Sequence, residues 1–189
     1  LSNVSLYLIN GSNNLDYAQI DLTNLGSLLS GQYLVIGSSN MINDVANGAL
    51  KLEFEGVENQ IQNSNPDGLV LFNKNTNTVI DSLSYGGDLL TATLTDINMI
   101  VNVVEGNGSV ADSNNMDGSI ARFENGEDSN DNSQDWDFTA STTPGAYNTF
   151  TTTPELLVIN EIDYNTPGTD DMEFIEIYNP SLSNISLAN

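Results

Sequence analysis

The sequence has no cysteine and no histidine, and its only basic residues are Lys51, Lys74 and Arg122. These absences remove thiol nucleophiles, disulfides, His–Asp catalytic pairs, zinc sites and haem ligation. With 26 Asp and Glu, the formal net charge is -23. Nucleic-acid affinity depends largely on Lys and Arg, and an anionic membrane surface repels an acidic protein. The charge balance therefore argues against nucleic acid as a partner and against membrane insertion.

Charged residues make up only 15% of the 189-residue chain and hydrophobic residues make up 39%, so the chain can bury the core of one ordinary domain. No stretch approaches the roughly 20 apolar residues of a transmembrane helix. Asparagine, which tolerates left-handed backbone and closes turns, occurs 28 times. This Asn-rich, Lys-poor, Cys-free composition is typical of a bacterial extracellular protein. We therefore expect a secreted or cell-surface location, with any signal peptide outside this sequence.

Short apolar runs separated by turn signals predict an all-β fold, because none keeps a helical period over the about 10–12 residues that a helix needs. The predicted strands are residues 4–9, 17–22, 33–36, 50–54, 69–72, 78–84, 99–104, 119–123, 156–163, 172–178 and 185–187. Asparagine–glycine and similar pairs between them predict turns. The segment TFTTTPE, residues 149–155, is polar and Thr-rich and predicts a linker.

Residues 158–187 read VINEIDYNTPGTDDMEFIEIYNPSLSNISL. This segment resembles the opening of a bacterial lamin-tail domain, whose first strands follow I-N-E-(I/V), an acidic loop and E-F-(I/V)-E-(I/L)-x-N. Segments before the linker, among them GQYLVIGS, VIDSLSYGG and TPGAYN, resemble the rest of such a domain. The resemblance implies an immunoglobulin-like antiparallel β-sandwich of lamin-tail type with an accessory, non-catalytic role.

The order of these segments is permuted relative to the family. The family's beginning lies at residues 156–189 and its continuation at residues 1–148, and L-x-N stands at the same family position at both Leu1 and Leu187. We interpret residues 1–148 as the body of a lamin-tail-like sandwich that lacks its first strands. Residues 156–189 then supply the first strands of the next domain in a tandem array, or of a permuted domain. A circular permutant, an arbitrary boundary and strand exchange between subunits are the open alternatives.

Two acidic segments are candidate Ca²⁺ sites. The first, ENGEDSNDNSQDWD at residues 124–137, places oxygen ligands at alternating positions, and the second follows a Pro-Gly turn. The candidate ligands are Asp128, Asn130, Asn132 and Asp135 in the first segment and Asp170, Asp171 and Glu173 in the second. A divalent cation would relieve the self-repulsion of such clusters. Neither segment has the full spacing of an EF-hand, and an ordinary solvated acidic loop would have the same composition.

We expect no enzymatic activity, because the chain has no nucleophile elbow and proximity among 26 carboxylates carries little information. The predicted function is a structural repeat module of a bacterial surface adhesin or filament. Its partners are neighbouring copies, joined covalently in tandem or by strand donation, with residues 156–187 pairing with a segment equivalent to Val4–Asn10. The alternative is an accessory domain of a secreted hydrolase that binds a glycan or a Ca²⁺-bridged polymer. The single tryptophan, Trp136, is more typical of a core than of a glycan-stacking platform.

Overall fold

The structure is a computed structural model that describes residues 1, 3–54, 60–63, 66–110, 118–149, 158–163 and 174–178. The described chain consists mainly of β-strands, which confirms the β-rich class predicted from the sequence. The strands are β1 (Val4–Asn10), β2 (Leu15–Asp21), β3 (Leu34–Gly37), β4 (Leu50–Glu53), β5 (Asp67–Asn73), β6 (Thr78–Tyr85), β7 (Ala92–Leu94), β8 (Met99–Val101), β9 (Ser119–Arg122), β10 (Trp136–Thr139), β11 (Val158–Asp163) and β12 (Phe174–Tyr178). The helices are α1 (Ser39–Asp44), α2 (Asn132–Asp135) and a 3-10 turn at Thr23–Leu25.

Ten of the predicted strands are confirmed within a few residues, and the eleventh, residues 185–187, lies outside the described residues. The prediction missed β7, β10 and both short helices. Each helix begins at a side-chain cap, since Ser38 accepts a hydrogen bond from the Met41 amide and Asp131 accepts one from the Ser133 amide. Because a single turn set by a cap shows no helical period, the pattern of apolar residues could not reveal it.

Six strands form one sheet in the order β6-β5-β1-β2-β7-β8. Its neighbours are antiparallel except β2 and β7, which run parallel and pair at Leu15 and Thr93. Three further strand pairs form separate two-stranded sheets. The pair β3 with β4 is parallel, and the pairs β9 with β10 and β11 with β12 are antiparallel. The chain divides into two compact units, Leu1–Phe150 and Thr151–Asn189, and the second contains β11 and β12.

The main core lies on one face of the six-stranded sheet. Its buried members are Tyr7, Ile9, Val70, Phe72, Leu89, Ala92, Leu94, Val101 and Val103. The rings of Tyr7 and Phe72 meet edge to face, with centroids 6.3 Å apart. Because β1 and β5 from the middle of the sheet share this cluster with β7 and β8 from its end, the sheet curls around the core.

The opposite face of the sheet is covered by the two separate strand pairs of the first unit. Residues of β1 and β2 line a cavity of about 420 Å³ together with residues of β3 and β4. Residues of β5 and β6 line another cavity together with β9 and β10. The second covering of the sheet is thus made of two short pieces, each of only two strands.

Candidate functional sites

The acidic segment at residues 124–137 is organised around the guanidinium of Arg122, which lies at the end of β9. Its Nη2 donates to both carboxylate oxygens of Asp81, at 3.2 and 3.1 Å. Its Nη1 lies 3.3 Å from Oδ2 of Asp135 and 3.4 Å from Oδ1 of Asp128. The Arg122 side chain is only 11% exposed and that of Asp135 only 7%. A cation of the chain itself therefore occupies the centre of this segment.

A second carboxylate, Asp131, holds the turn before α2. It accepts hydrogen bonds from the Ser133 hydroxyl at 2.6 Å, the Gln134 amide at 2.8 Å and the Asn107 amide at 2.6 Å. These donors, led by Ser133, hold the pKa of Asp131 far below its usual range. The Ser129 hydroxyl, 2.6 Å from Oδ1 of Asp135, is the main cause of the lowered pKa of that carboxyl. Both groups are acceptors within the fold.

The predicted Ca²⁺ ligands of this segment do not share one set of contacts. Asp128 and Asp135 meet at Arg122, whereas Asn130 occupies a left-handed turn position and donates its backbone amide to Asp128. Asn132 is fully buried and donates its side-chain amide to the carbonyl of Ser82 in β6. Within the described ranges, no three or more acidic side chains are arranged to hold a metal ion.

The second predicted Ca²⁺ segment, with Asp170, Asp171 and Glu173, lies outside the described residues. A calcium ligand in either segment stays a prediction. The organising role of Arg122 was missed by the sequence analysis. The available signal was the position of a lone arginine directly before an acidic segment in a chain with only three basic residues.

Two adjoining hollows lie along β9 and β10. The first, of about 400 Å³, is lined by Leu69 and Leu83 of the large sheet and by Ile120 and Trp136. The second, of about 520 Å³, reaches from the same Ile120 and Trp136 to Tyr33, which directly precedes β3. We call the two hollows together the β9 groove. Nothing in the sequence pattern predicted this groove, because its walls come from distant parts of the chain.

Two buried polar atoms on the β9 groove lack a hydrogen-bond partner within the described part of the chain. They are Nε1 of Trp136 and Oε1 of Gln62. The Trp136 ring also carries the Arg122 guanidinium 4.9 Å from its centre, a cation–π arrangement. Buried polar atoms are normally satisfied, so these two mark the groove as a candidate binding site.

The hairpin of β11 and β12 presents apolar side chains to solvent. Its register sets Ile162 opposite Ile175, and position 159 opposite Ile177. Ile162 is 56% exposed, Ile175 64% and Ile177 61%. On the other face of β12, Phe174 and Tyr178 are exposed as well. Both faces of β12 therefore carry large, exposed apolar side chains.

The predicted pairing of residues 156–187 with Val4–Asn10 is wrong as to the strand. β1 pairs with β2 along one edge and with β5 along the other, over nearly its whole length. Neither edge of β1 is available to another strand. By contrast, among the described residues β3 pairs only with β4, and β9 pairs only with β10. Among the same residues β4, β6, β8 and β10 also have one partner strand each.

Comparison of the chain with protein-family models, with curated proteins and with solved structures finds no match. The resemblance to the lamin-tail family therefore stays a prediction from the sequence. Over the ranges that the structure describes, no helix has the length and the apolar character needed to cross a membrane.

Proposed function

We propose that this chain is a non-catalytic structural module of an extracellular bacterial adhesin or filament, of lamin-tail type, that assembles with neighbouring copies of itself. The observation that carries the proposal is the β11–β12 hairpin with its exposed isoleucines. An isolated two-stranded hairpin is marginally stable in water. Contiguous exposed apolar surface typically marks an interaction site. The hairpin is thus suited to a partner rather than to solvent.

The energetic argument concerns Ile162, Ile175 and Ile177. Each large apolar side chain that leaves water on association contributes about 1.5–3 kcal/mol. Three such groups on one hairpin offer enough free energy to offset part of the cost of association and ordering.

The fold supports a sandwich architecture for this module. The six-stranded sheet has a second face, with Leu8 and Leu83 buried on it, and the pairs β3–β4 and β9–β10 cover that face. An immunoglobulin-like sandwich has two such layers, with inward side chains alternating along each strand. The proposed module has one complete layer and a second layer in two pieces.

A structural role also fits the use of the carboxylates. Asp81, Asp128 and Asp135 surround Arg122, and Asp131 holds a turn. Carboxylates engaged in this way stabilise loops and are poorly placed for proton transfer to a substrate.

Sedimentation of the purified chain over the micromolar to millimolar range tests the assembly. We expect the chain to self-associate and Ile175→Asp to remain monomeric. Leu29→Asp is the matched control, since Leu29 is an exposed apolar residue outside the hairpin, and this variant should associate like the parent chain. A parent chain that stays monomeric throughout this range would reject the proposed assembly.

The second candidate function is that of a ligand-binding accessory domain. It is favoured by the indole N–H of Trp136 in the β9 groove, which has no hydrogen-bond partner among the described residues. Titration with soluble oligosaccharides, followed by the fluorescence of the single tryptophan, tests this candidate. Saturable quenching by one glycan, absent with the other glycans of the panel at the same concentrations, would support it. An unchanged spectrum across the panel would leave the structural module as the better proposal.

Ca²⁺ binding is proposed separately from assembly. Calorimetry with millimolar Ca²⁺, the range typical of extracellular modules, tests it against Mg²⁺ as the control ion. Loss of the heat signal in Asp128→Ala assigns the ion to the first segment, and loss in Asp171→Ala assigns it to the second. Equal melting temperatures with Ca²⁺ and with a chelator would reject both sites.

A further inference from the structure

The chain contains four Asn-Gly pairs, which begin at Asn10, Asn47, Asn107 and Asn125. We propose that Asn47–Gly48 is a site of spontaneous covalent modification, at which the asparagine converts to aspartyl and isoaspartyl products through a succinimide. The reaction needs only water and the chain's own backbone, so it goes beyond the proposed function and does not depend on it. Hydrogen bonds of the fold hold the reacting groups of the other three pairs.

The reaction joins two atoms that are close neighbours along the chain. The Gly48 backbone nitrogen loses its proton to a base and attacks Cγ of Asn47, which forms a new C–N bond. The bond from Cγ to Nδ2 then breaks, and Nδ2 takes up a proton and leaves as ammonia. Water cleaves one of the two imide bonds of the succinimide. Cleavage at Cγ gives an aspartyl residue, and cleavage at the main-chain carbonyl gives an isoaspartyl residue.

Three conditions favour this attack over an equivalent pair elsewhere in the chain. The backbone amide of the glycine must be able to give up its proton, the asparagine side chain must be free to turn onto the main chain, and the second residue must not crowd Cγ. Glycine meets the last condition in all four pairs, because it has no Cβ. The fold decides the other two, since a group in a hydrogen bond must lose that bond before it reacts.

Asn47–Gly48 lies in an exposed turn between α1 and β4. Within the part of the chain that the structure describes, neither the Asn47 side chain nor the Gly48 amide forms a hydrogen bond. Gly48 has φ +97, and beyond its chain neighbours no atom lies within 4 Å of the place of a Cβ. Its carbonyl oxygen accepts from Nε2 of Gln32 at 2.9 Å, and this oxygen takes no part in the reaction. Both reacting groups are therefore accessible.

In the first Asn-Gly pair both reacting groups are held. The Gly11 amide donates to Oδ1 of Asp67 at 3.1 Å, and Asp67 is fully buried. Oδ1 of Asn10 accepts a hydrogen bond from the Ser12 amide at 2.8 Å. Asn10 is also the last residue of β1 and pairs with Asp67 of β5. Attack within this pair requires the loss of these contacts.

In the remaining two pairs the asparagine side chain is held. Nδ2 of Asn107, the atom that would leave, donates to Oδ2 of Asp131 at 2.6 Å. Nδ2 of Asn125 donates to the Tyr33 hydroxyl at 3.1 Å, and its Oδ1 accepts from the backbone amide of Asn148 at 2.9 Å. Each side chain is thus fixed to another part of the chain, and it can turn onto its own main chain only after these bonds break.

Modification changes both the charge and the backbone of the turn. Each product adds a carboxylate to a chain of formal net charge -23, and the isoaspartyl product also inserts a methylene into the main chain. The turn is held at both ends, since the Ala46 amide donates to the Pro144 carbonyl at 3.0 Å and the Leu50 amide donates to the Tyr33 carbonyl at 2.8 Å. The inserted atom must be accommodated between these two bonds, so we expect the melting temperature to fall.

Peptide mapping after incubation of the folded chain at mildly alkaline pH tests the proposal. Cleavage with cyanogen bromide after Met41 and with trypsin after Lys51 isolates Asn47 in residues 42–51, which contain no other Asn-Gly pair. We expect this fragment to gain about one dalton and to separate into two chromatographic forms of equal mass. Its rate should exceed by at least about tenfold the rates at the other three pairs, those of Asn10, Asn107 and Asn125.

Asn47→Gln is the matched control, since position 47 is exposed and the longer side chain cannot close a five-membered ring. This variant should show neither the mass gain nor the fall in melting temperature. In concentrated urea the four pairs of the parent chain should react at comparable rates, because the hydrogen bonds of the fold are then lost.

Two results would overturn the inference. One is equal rates at the four pairs of the folded chain, and the other is an unmodified fragment 42–51 over a time in which the chain reacts in urea. Faster reaction at Asn10 would overturn it as well, and would indicate that Asp67 acts as a base on the Gly11 amide. All these readouts come from single chains, so they are distinguishable from the sedimentation test of assembly.

Discussion

The three basic side chains of this acidic protein are all engaged within the fold. Lys74 forms an ion pair with Asp96 at 2.7 Å, and Lys51 donates to two carbonyls at the end of α1, each at 3.2 Å. Arg122 forms ion pairs with three carboxylates. The contribution of each ion pair to stability depends on its burial. Solvent screens an exposed pair, whereas a buried pair with good geometry remains strong. Arg122 is therefore the basic residue expected to contribute most to the stability of the fold.

Arg122→Met should destabilise the protein by about 3 kcal/mol, since removal of one partner leaves buried charge uncompensated. Asp135, at 7% exposure, is the carboxylate most affected. Lys74→Met removes the exposed pair with Asp96 and should cost at most about 1 kcal/mol. Urea unfolding of both variants checks the difference. Equal losses would contradict the view that Arg122 organises the acidic segment.

Stability should fall in acid because of Asp131 and Asp135. Their pKa values in the folded protein lie below the ordinary value of 3.8, so the unfolded chain takes up the protons first as pH drops. Their contribution is complete above that value and is lost as pH falls through the folded pKa. Glu105 acts in the opposite sense, because burial raises the pKa of its carboxyl.

Melting temperature measured between neutral pH and pH 2 checks the acid dependence. Asp131→Asn should lower the melting temperature at neutral pH and should flatten the decline below about pH 4. Asp44→Asn, an exposed carboxylate at the end of α1, should reproduce the parent curve. An Asp131→Asn curve that runs parallel to that of the parent would exclude Asp131 as the source.

At the level of the elements, the sequence predicted strands wherever turn chemistry and alternation agreed. Every residue other than glycine with positive φ among those described is an asparagine: Asn3, Asn14, Asn77, Asn98 and Asn130. This agrees with the expectation that asparagine closes the turns of this chain. β7 and β10 escaped prediction because their sequences, ATL and WDFT, lie in polar surroundings and have little apolar alternation of their own. They depend on their partners, β8 and β9 respectively.

The contact between the loop after Glu105 and the turn at Asp131 depends on Gly106. This residue has φ +67, and a Cβ there would lie 2.6 Å from Cα of Asp131. Gly106→Ala should therefore combine the left-handed backbone cost of about 1–2 kcal/mol with overpacking of about 1–3 kcal/mol. Gly126→Ala is the matched control, since Gly126 has φ +79 and open space around it.

Thermal and urea unfolding should rank Gly106→Ala well below Gly126→Ala in stability. The control should lose only the backbone term. If the two variants are equally stable, the close packing of Gly106 on Asp131 does not contribute to the free energy of unfolding.

On the scale of the whole molecule, the candidate sites could not be predicted because they join distant parts of the chain. The β9 groove brings Leu69 and Leu83 against Ile120 and Trp136. Arg122 reaches Asp81 in β6, 41 residues earlier. The sequence marked the acidic segment as a cation site, and the folded chain brings its own arginine there. The local sequence shows which side chains could bind a cation. Contacts between distant parts of the folded chain decide which cation those side chains meet.

The charge of the whole molecule governs the last prediction, which concerns salt. Each copy carries a formal net charge of -23, so two copies repel at long range while the proposed apolar contact attracts them at short range. The Debye length falls from about 10 Å at 0.1 M to about 3 Å at 1 M ionic strength, which removes most of the repulsion. Self-association should therefore strengthen as sodium chloride rises. Sedimentation at several salt concentrations measures this, with Ile175→Asp expected to stay monomeric at each of them. Association that weakens with salt would instead indicate an interface built on opposite charges, in conflict with an isoleucine hairpin as the contact.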